Sequence, residues 1–370
     1  MFKHLTSSFS GSQKAAPAEE QRSAYKMTKD KYEEFQDNDL SQLINRLHLQ
    51  EFNQTTCFLC ARSLETLEST DEHVIPRWAQ KRYNLWDQKL TLLNNTFISY
   101  RQLTVPCCKE CNTYRLQPIE VSMADAVLKG PHAVRDLGLE TLFLWLGKIF
   151  YGILYRELFL LFDRSANNSI TIATPEMLQQ YETHVLFLQQ ARESIKLVDF
   201  CPGSFFVFRT QNLKRPEYQW DFCDNIETMF IGIRMGEVGV IGILQDGGAQ
   251  QYFDEEYKDL LDHPLHPIQF RELCAHFSYR STLATRTPKY FTIEGKPHQT
   301  YQLPLGGFSV KPLFEGWDPA TYAKFLSQYT GAPYERVFEP PDKVKTILRD
   351  EAGKPVFMDF NKYPFFQEPV

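Results

Sequence analysis

With 370 residues, 43% of them hydrophobic and 23% charged, the chain is long enough for two domains and has the composition of a soluble globular protein. A formal net charge of −6 excludes a protein that coats duplex nucleic acid over its whole surface. Aromatic residues at 14%, with 29 Phe and 18 Tyr, supply a large core and leave rings for a recognition surface.

The first 25 residues are Ser, Ala, Gln and Lys with little to bury, and residues 1–45 are expected to form a disordered or weakly structured tail. They contain no apolar stretch of the secretory kind, so a cytoplasmic location is expected. Leu40, Leu43, Ile44 and Leu47 predict a short amphipathic helix from Leu40 to Leu49. Residues 46–130 hold most of the cysteines. The last part of this module is expected to be helical from Cys111-Asn112 past Pro118 to a C-cap at Gly130. The apolar run from Leu137 to Phe162 is interrupted by Lys148, Arg156 and Glu157. It is too charged to cross a membrane and predicts a buried helix, with Trp145 inside and Lys148 reaching outward. Thr174-Pro175-Glu176 is an N-cap followed by Pro at the first helical position, and predicts a helix to about Ile195. Beyond residue 200 the pattern changes to strands at 204–210, 228–234 and 238–244, with a C-terminal hairpin turning at Asp350–Gly353. His263 and His266, each followed by a proline (Pro264 and Pro267), sit in a predicted loop. The fold class is therefore α+β: a cysteine module, a helical segment at 131–200 and a larger α+β domain at 201–370.

Five of the eight cysteines lie between residues 57 and 111, in tight pairs. Such pairing indicates metal binding in a reducing compartment rather than a disulfide scaffold. Cys57-x-x-Cys60 and Cys108-x-x-Cys111, with 47 residues between them, give the four thiolates of a closed tetrahedral zinc site, which is structural. Cys107 has the poorer spacing to Cys111 and is read as a neighbour. Between the knuckles lies Asp71-Glu72-His73-Val74-Ile75-Pro76-Arg77-Trp78, and Asn112 directly follows the last thiol. Glu72 offers a hard oxygen and Asn112 a carbonyl to a divalent cation, while an imidazole such as His73 can take a proton near neutrality. Neighbours on a strand point to opposite faces, so Glu72 and His73 can share a site only at a strand end.

These residues, over about seventy positions, resemble the HNH, or ββα-metal, endonuclease family, in its subgroup with two zinc-binding Cys pairs. The resemblance implies an N-terminal zinc-stapled nuclease module in which Glu72 and Asn112 hold catalytic Mg2+ or Mn2+ and His73 is the general base. No residue matches the family's middle Asn, since Asn94 and Asn95 lie too far before Cys108. Arg77, four residues past the base, is the candidate phosphate clamp.

Between residues 73 and 115 the basic residues Arg77, Lys81, Arg82, Lys89, Arg101, Lys109 and Arg115 face only Asp87 and Glu110. Arg77, Lys81, Arg82, Arg101, Lys109 and Arg115 are the candidate contacts to nucleic acid. Glu120 could reach the site from the helix or form a salt bridge. The leading expectation is a DNA endonuclease. By analogy of architecture it is the effector of a bacterial restriction or anti-phage system, meeting other proteins of that system through its C-terminal domain. The competing expectations are a zinc-stapled nucleic-acid-binding or scaffold protein, and a nuclease acting on RNA.

Overall fold

A computed structural model describes residues 55–158, 160–162, 170–173, 175–212, 218–305 and 311–361. The expected tail and the Leu40–Leu49 helix lie outside the described residues, as does Thr174. The described chain is mixed α+β.

In the cysteine module, β1 (Ser69–His73) and β4 (Thr104–Cys108) form an antiparallel pair running from Ser69 opposite Cys108 to His73 opposite Thr104. Between them come α1 (Arg77–Arg82) and the antiparallel strands β2 (Lys89–Thr91) and β3 (Phe97–Ser99). Pro76 precedes α1 in an extended conformation, which ends the strand segment and sets the first helical turn. After β4 a π-helical stretch, Glu110–Leu116, runs directly into α2 (Gln117–Lys129). Gly130, at a φ of 103°, stops α2 and turns the chain into α3 (Pro131–Arg135).

Helix α4 (Leu139–Glu157) is apolar all round and buried along most of its length, as a helix enclosed on every side must be. Helix α5 (Pro175–Phe187) packs beside it and gives way to a 3-10 turn, Leu188–Arg192, and to β5 (Ile195–Leu197). The helix expected to reach Ile195 thus ends at Phe187, because Ile195 and its neighbours are taken into a sheet.

The larger sheet has four antiparallel strands, β6 (Ser204–Arg209), β7 (Trp220–Asn225), β8 (Phe230–Met235) and β9 (Val238–Ile243), in the order β6-β9-β8-β7. Every residue of β8 and β9 is buried, which requires cover on both faces. Alternate side chains divide accordingly. Val238 and Val240 join the core containing α4, whereas Ile241 and Ile243 join the one containing α7 (Pro267–Thr282). α6 (Asp254–Tyr257) precedes α7.

Strand β10 (Tyr290–Ile293) pairs with β11 (His298–Gln302), which lies parallel to β5. Helix α8 (Pro319–Thr330) follows, then α9 (Tyr334–Val337) and the two-residue strands β12 (Phe338–Glu339) and β13 (Lys343–Val344). The expected C-terminal hairpin is reduced to one bridge between Arg349 and Pro355. His266 lies in the loop just before α7 and has a role there: its Nδ1 accepts a hydrogen bond from Ile268 N at 3.1 Å and caps the helix. One buried core joins cysteine-module residues such as Phe58 and Val105 to α4 and to the α4 face of the sheet.

Candidate functional site

The sulfurs of Cys57, Cys60, Cys108 and Cys111 all lie within 4.8 Å of one another, and all four residues are buried. Local structure explains the convergence. The turn after Cys57 brings Ala61 N to Cys57 O at 2.9 Å, and Phe58 N donates to Pro106 O at 2.8 Å, clasping the first knuckle to β4. Cys108 ends β4, and Cys111 N points at Cys108 Sγ from 3.5 Å as the helical stretch begins. Four thiols at this spacing fit a tetrahedral, thiophilic ion such as zinc. Burial pushes the Cys57 thiol up, and hydrogen bonds from Cys108 and Cys111 hold Cys60 well down. Cys107 faces the other side of β4 and stays outside the group, with its sulfur 3.9 Å from that of Cys57.

Arg62 completes the cluster, although its position carries no spacing signal. Its Nε donates to Cys60 Sγ at 3.3 Å, one Nη lies 3.8 Å from Cys108 Sγ, and the same nitrogen pairs with Glu110. A guanidinium against the sulfurs offsets the negative charge that a four-thiolate site carries.

Beside the cluster, β1 sends its side chains two ways. Thr70 and Glu72 project to one face, with Asn112 Nδ2 donating to Thr70 Oγ1 at 2.9 Å and Thr70 Oγ1 donating to Cys107 O at 3.1 Å. Glu72 is 5% exposed, and its Oε1 lies 2.5 Å from Lys148 Nζ on α4, off the hydrogen-bond direction. Lys148 Nζ also donates to Glu120 Oε1 at 2.5 Å and to His73 O at 3.1 Å. Lys148 therefore does not reach outward; it is 3% exposed and turned into the module. One buried ammonium balances one carboxylate. Burial pushes the Glu72 carboxyl up to about 7, Lys148 acts against that shift, and Glu120 adds to it.

His73 ends β1, and its ring has different company. Gln80 Nε2 donates to Ile75 O at 2.7 Å, which fixes the amide orientation. The second hydrogen of that nitrogen meets His73 Nδ1 at 3.4 Å, so Nδ1 is the accepting, unprotonated nitrogen of the ring. Burial first, then Arg77 and Lys148, lower the His73 pKa, and the imidazole is neutral at pH 7. Trp86 stands at 6.1 Å between ring centroids. Among the described residues the cysteines alone form a group of three or more His, Cys, Asp or Glu with ligand atoms this close, so Glu72, Glu120 and His73 do not make a second one.

A divalent ion at Glu72 and Asn112 does not fit this arrangement. The point on which the Glu72 and Glu120 carboxylates close is held by the Lys148 ammonium.

The basic residues are scattered around this centre. Arg77, Lys81 and Arg82 are exposed on α1. Arg101 pairs with Asp87 at 2.6 Å, Lys109 with Glu68 at 2.9 Å, and Arg115 lies 3.4 Å from Glu193. Trp78 packs against Trp145, with ring centroids 6.5 Å apart. Sequence reasoning missed Lys148, Arg62 and Gln80; a lysine inside an otherwise apolar helix was the available signal for the first. No helix among the described residues is long and apolar enough to cross a membrane. Comparison with protein-family models, curated proteins and solved structures gives no match.

Proposed function

We propose that the cysteine-stapled module hydrolyses phosphodiester bonds of nucleic acid, DNA in the first place, as an HNH-type nuclease. The observation that carries this reading is the placement of His73. It ends β1, the strand paired with the cysteine-bearing β4, it is neutral, and its Nδ1 lone pair meets only a weak 3.4 Å donor. In this reading Nδ1 takes the proton of the attacking water. Arg77, exposed on the first turn of α1 and near enough to depress the imidazole, holds the phosphate. Asn112 and Thr70 fix the strand-to-helix joint. Mg2+ or Mn2+ at Glu72 belongs to the resemblance, and Lys148 closes that position in the state described. The part of the chain beyond the module, by analogy of architecture, senses a signal or a partner protein of a defence system.

The test is cleavage of supercoiled plasmid and of RNA, side by side, with Mg2+ and with Mn2+. His73→Ala is expected to slow cleavage by about 10²–10⁴-fold while keeping its zinc. A variant that cuts at the wild-type rate removes His73 from the mechanism. One observation favours a second reading, a zinc-stapled nucleic-acid-binding or scaffold module: the Lys148–Glu72 contact, which spends the carboxylate on an internal cation. Binding of DNA without cleavage under any divalent ion would establish it.

A further inference from the structure

The least satisfied cation of the described chain lies in the larger sheet, away from the cysteines. Arg234, on β8, is 1% exposed, yet its Nε and Nη1 have no hydrogen-bond partner. Its cross-strand neighbour on β7 is Asp221, the natural partner for a guanidinium. That carboxylate is already engaged: Arg271 of α7 donates to it through Nε at 2.7 Å and Nη2 at 2.8 Å, and Phe222 N donates to Oδ1 at 3.1 Å. Two guanidinium groups thus stand beside one aspartate, and Nε and Nη1 of Arg234 are left without an acceptor. Burial lowers its pKa to about 10 even with Asp221 nearby, which leaves it charged at neutral pH. A buried charge without acceptors is costly unless something else supplies them.

Arg234 lines a cavity of about 400 Å3 at the β7 edge of the sheet. Arg271, Lys89, Trp220 and Tyr100 line it too, with Asp221 at the ion pair and Asp224 beyond it, so cationic groups outnumber anionic ones by one. One wall comes from β2 of the cysteine module (Lys89, Leu90 and Thr91) and the other from β7 and β8. Trp220 Nε1 donates to Tyr100 Oη at 3.3 Å and ties the two walls together. The volume suits a small molecule, and the lining combines aromatic and apolar surface with a few convergent polar groups.

We infer that this cavity binds a small oxoanion, a phosphate monoester or a carboxylate on a planar body, whose oxygens complete the hydrogen bonding of Arg234. The inference rests on the sheet and on β2, and does not depend on the nuclease reading.

Thermal unfolding of the full chain, at constant ionic strength set with NaCl, tests it with three probes: inorganic phosphate, AMP and benzoate. At least one is expected to raise the wild-type midpoint saturably. Response to phosphate and AMP identifies a phosphate ester, and response to benzoate alone a carboxylate. Arg234→Met is expected to unfold no earlier than wild type without ligand, because it removes an unpaired buried charge, and to lose the probe's shift entirely. Lys89→Ala, at an exposed position, is expected to raise the half-saturating concentration several-fold with no effect on the unliganded midpoint. The inference fails if none of the three probes gives a saturable shift, if the shift survives in Arg234→Met, or if that variant alone is strongly destabilised, which would make Arg234 a structural residue.

Discussion

Lys148 shows how a single side chain sets what its neighbours can do. Its ammonium takes the place that two carboxylates would otherwise offer to a hard cation, bonding Glu120 and the His73 carbonyl and standing 2.5 Å from Glu72. Replacing Lys148 by Ala leaves the buried Glu72 and the part-buried Glu120 as an acidic pair without a counter-charge, which destabilises the fold by up to about 3 kcal/mol. The same pair is then free to take a divalent ion. Mn2+ is therefore expected to raise the unfolding temperature of Lys148→Ala in a saturable way, with little effect on wild type. Equal responses in the two proteins would show that the ammonium does not occupy a cation position. The charge partners of Lys148 lie 28 and 76 positions away in the chain, and no local pattern predicts a pairing of that span. A lysine in an apolar helix is ordinarily expected to extend its stem and put its charge in water, which is why the sequence pointed it outward. The cysteines were legible for the opposite reason. A Cys-x-x-Cys knuckle is local geometry, and two knuckles suffice to name a centre before any contact is known. Where the centre would sit relative to Arg62 and Glu110 was not legible, since those residues carry no periodic or spacing signal.

At the scale of elements, the cysteine cluster and α4 hold the module from two sides. The cluster joins the turn at Cys57, the end of β4 and the start of the π-helical stretch. One zinc per chain is expected by elemental analysis. Cys60→Ser and Cys111→Ser should each lose it and leave residues of the module open to limited proteolysis, while wild-type protein resists. Full zinc retention in both variants would show that the sulfurs gather without metal. From the other side, α4 reaches the bend just after β1 through Gly152, where an added Cβ would stand 2.9 Å from both methyl groups of Val74. Val74 is fully buried and cannot step aside. Gly152→Ala is accordingly expected to cost about 1–3 kcal/mol in urea unfolding, and Val74→Ala in the same chain should recover part of the loss through the space it frees. Long apolar or alternating runs such as α4, β8 and β9 were readable because their burial imposes a pattern on every residue. β7 (Trp220–Asn225) was not, because it lies at the sheet edge with mixed polarity. α7 was missed because its buried residues include Gln269, Glu272 and Ser278, which blur an apolar stripe.

Over the whole molecule, buried titratable groups of opposite type set the pH range in which the fold persists. His184 of α5 is fully buried against α4, with Nε2 donating to Gly147 O at 3.1 Å, and burial lowers its pKa to about 4. Glu157 and Glu272 are buried carboxyls raised to about 7, each chiefly by burial. The unfolded chain protonates His184 near its ordinary value of 6.5. Its contribution is therefore fully present above that pH and is lost as pH falls toward 4. The two carboxyls act in reverse: their contribution is present below 4.5 and lost as pH rises toward 7. Between these limits the slopes overlap with opposite signs, and the imidazole offsets only part of the fall that the two carboxyls give as pH rises. His184→Gln keeps a donor for Gly147 O and removes the titration. Between about pH 7.5 and about pH 4 its unfolding free energy should gain about 3 kcal/mol relative to wild type. Repacking adds a constant offset, which cancels in that difference, so urea titrations at the two pH values isolate the imidazole. Parallel profiles for the two proteins would mean that His184 is solvated or protonated in the native state, and that α4 and α5 are not sealed against each other at Gly147.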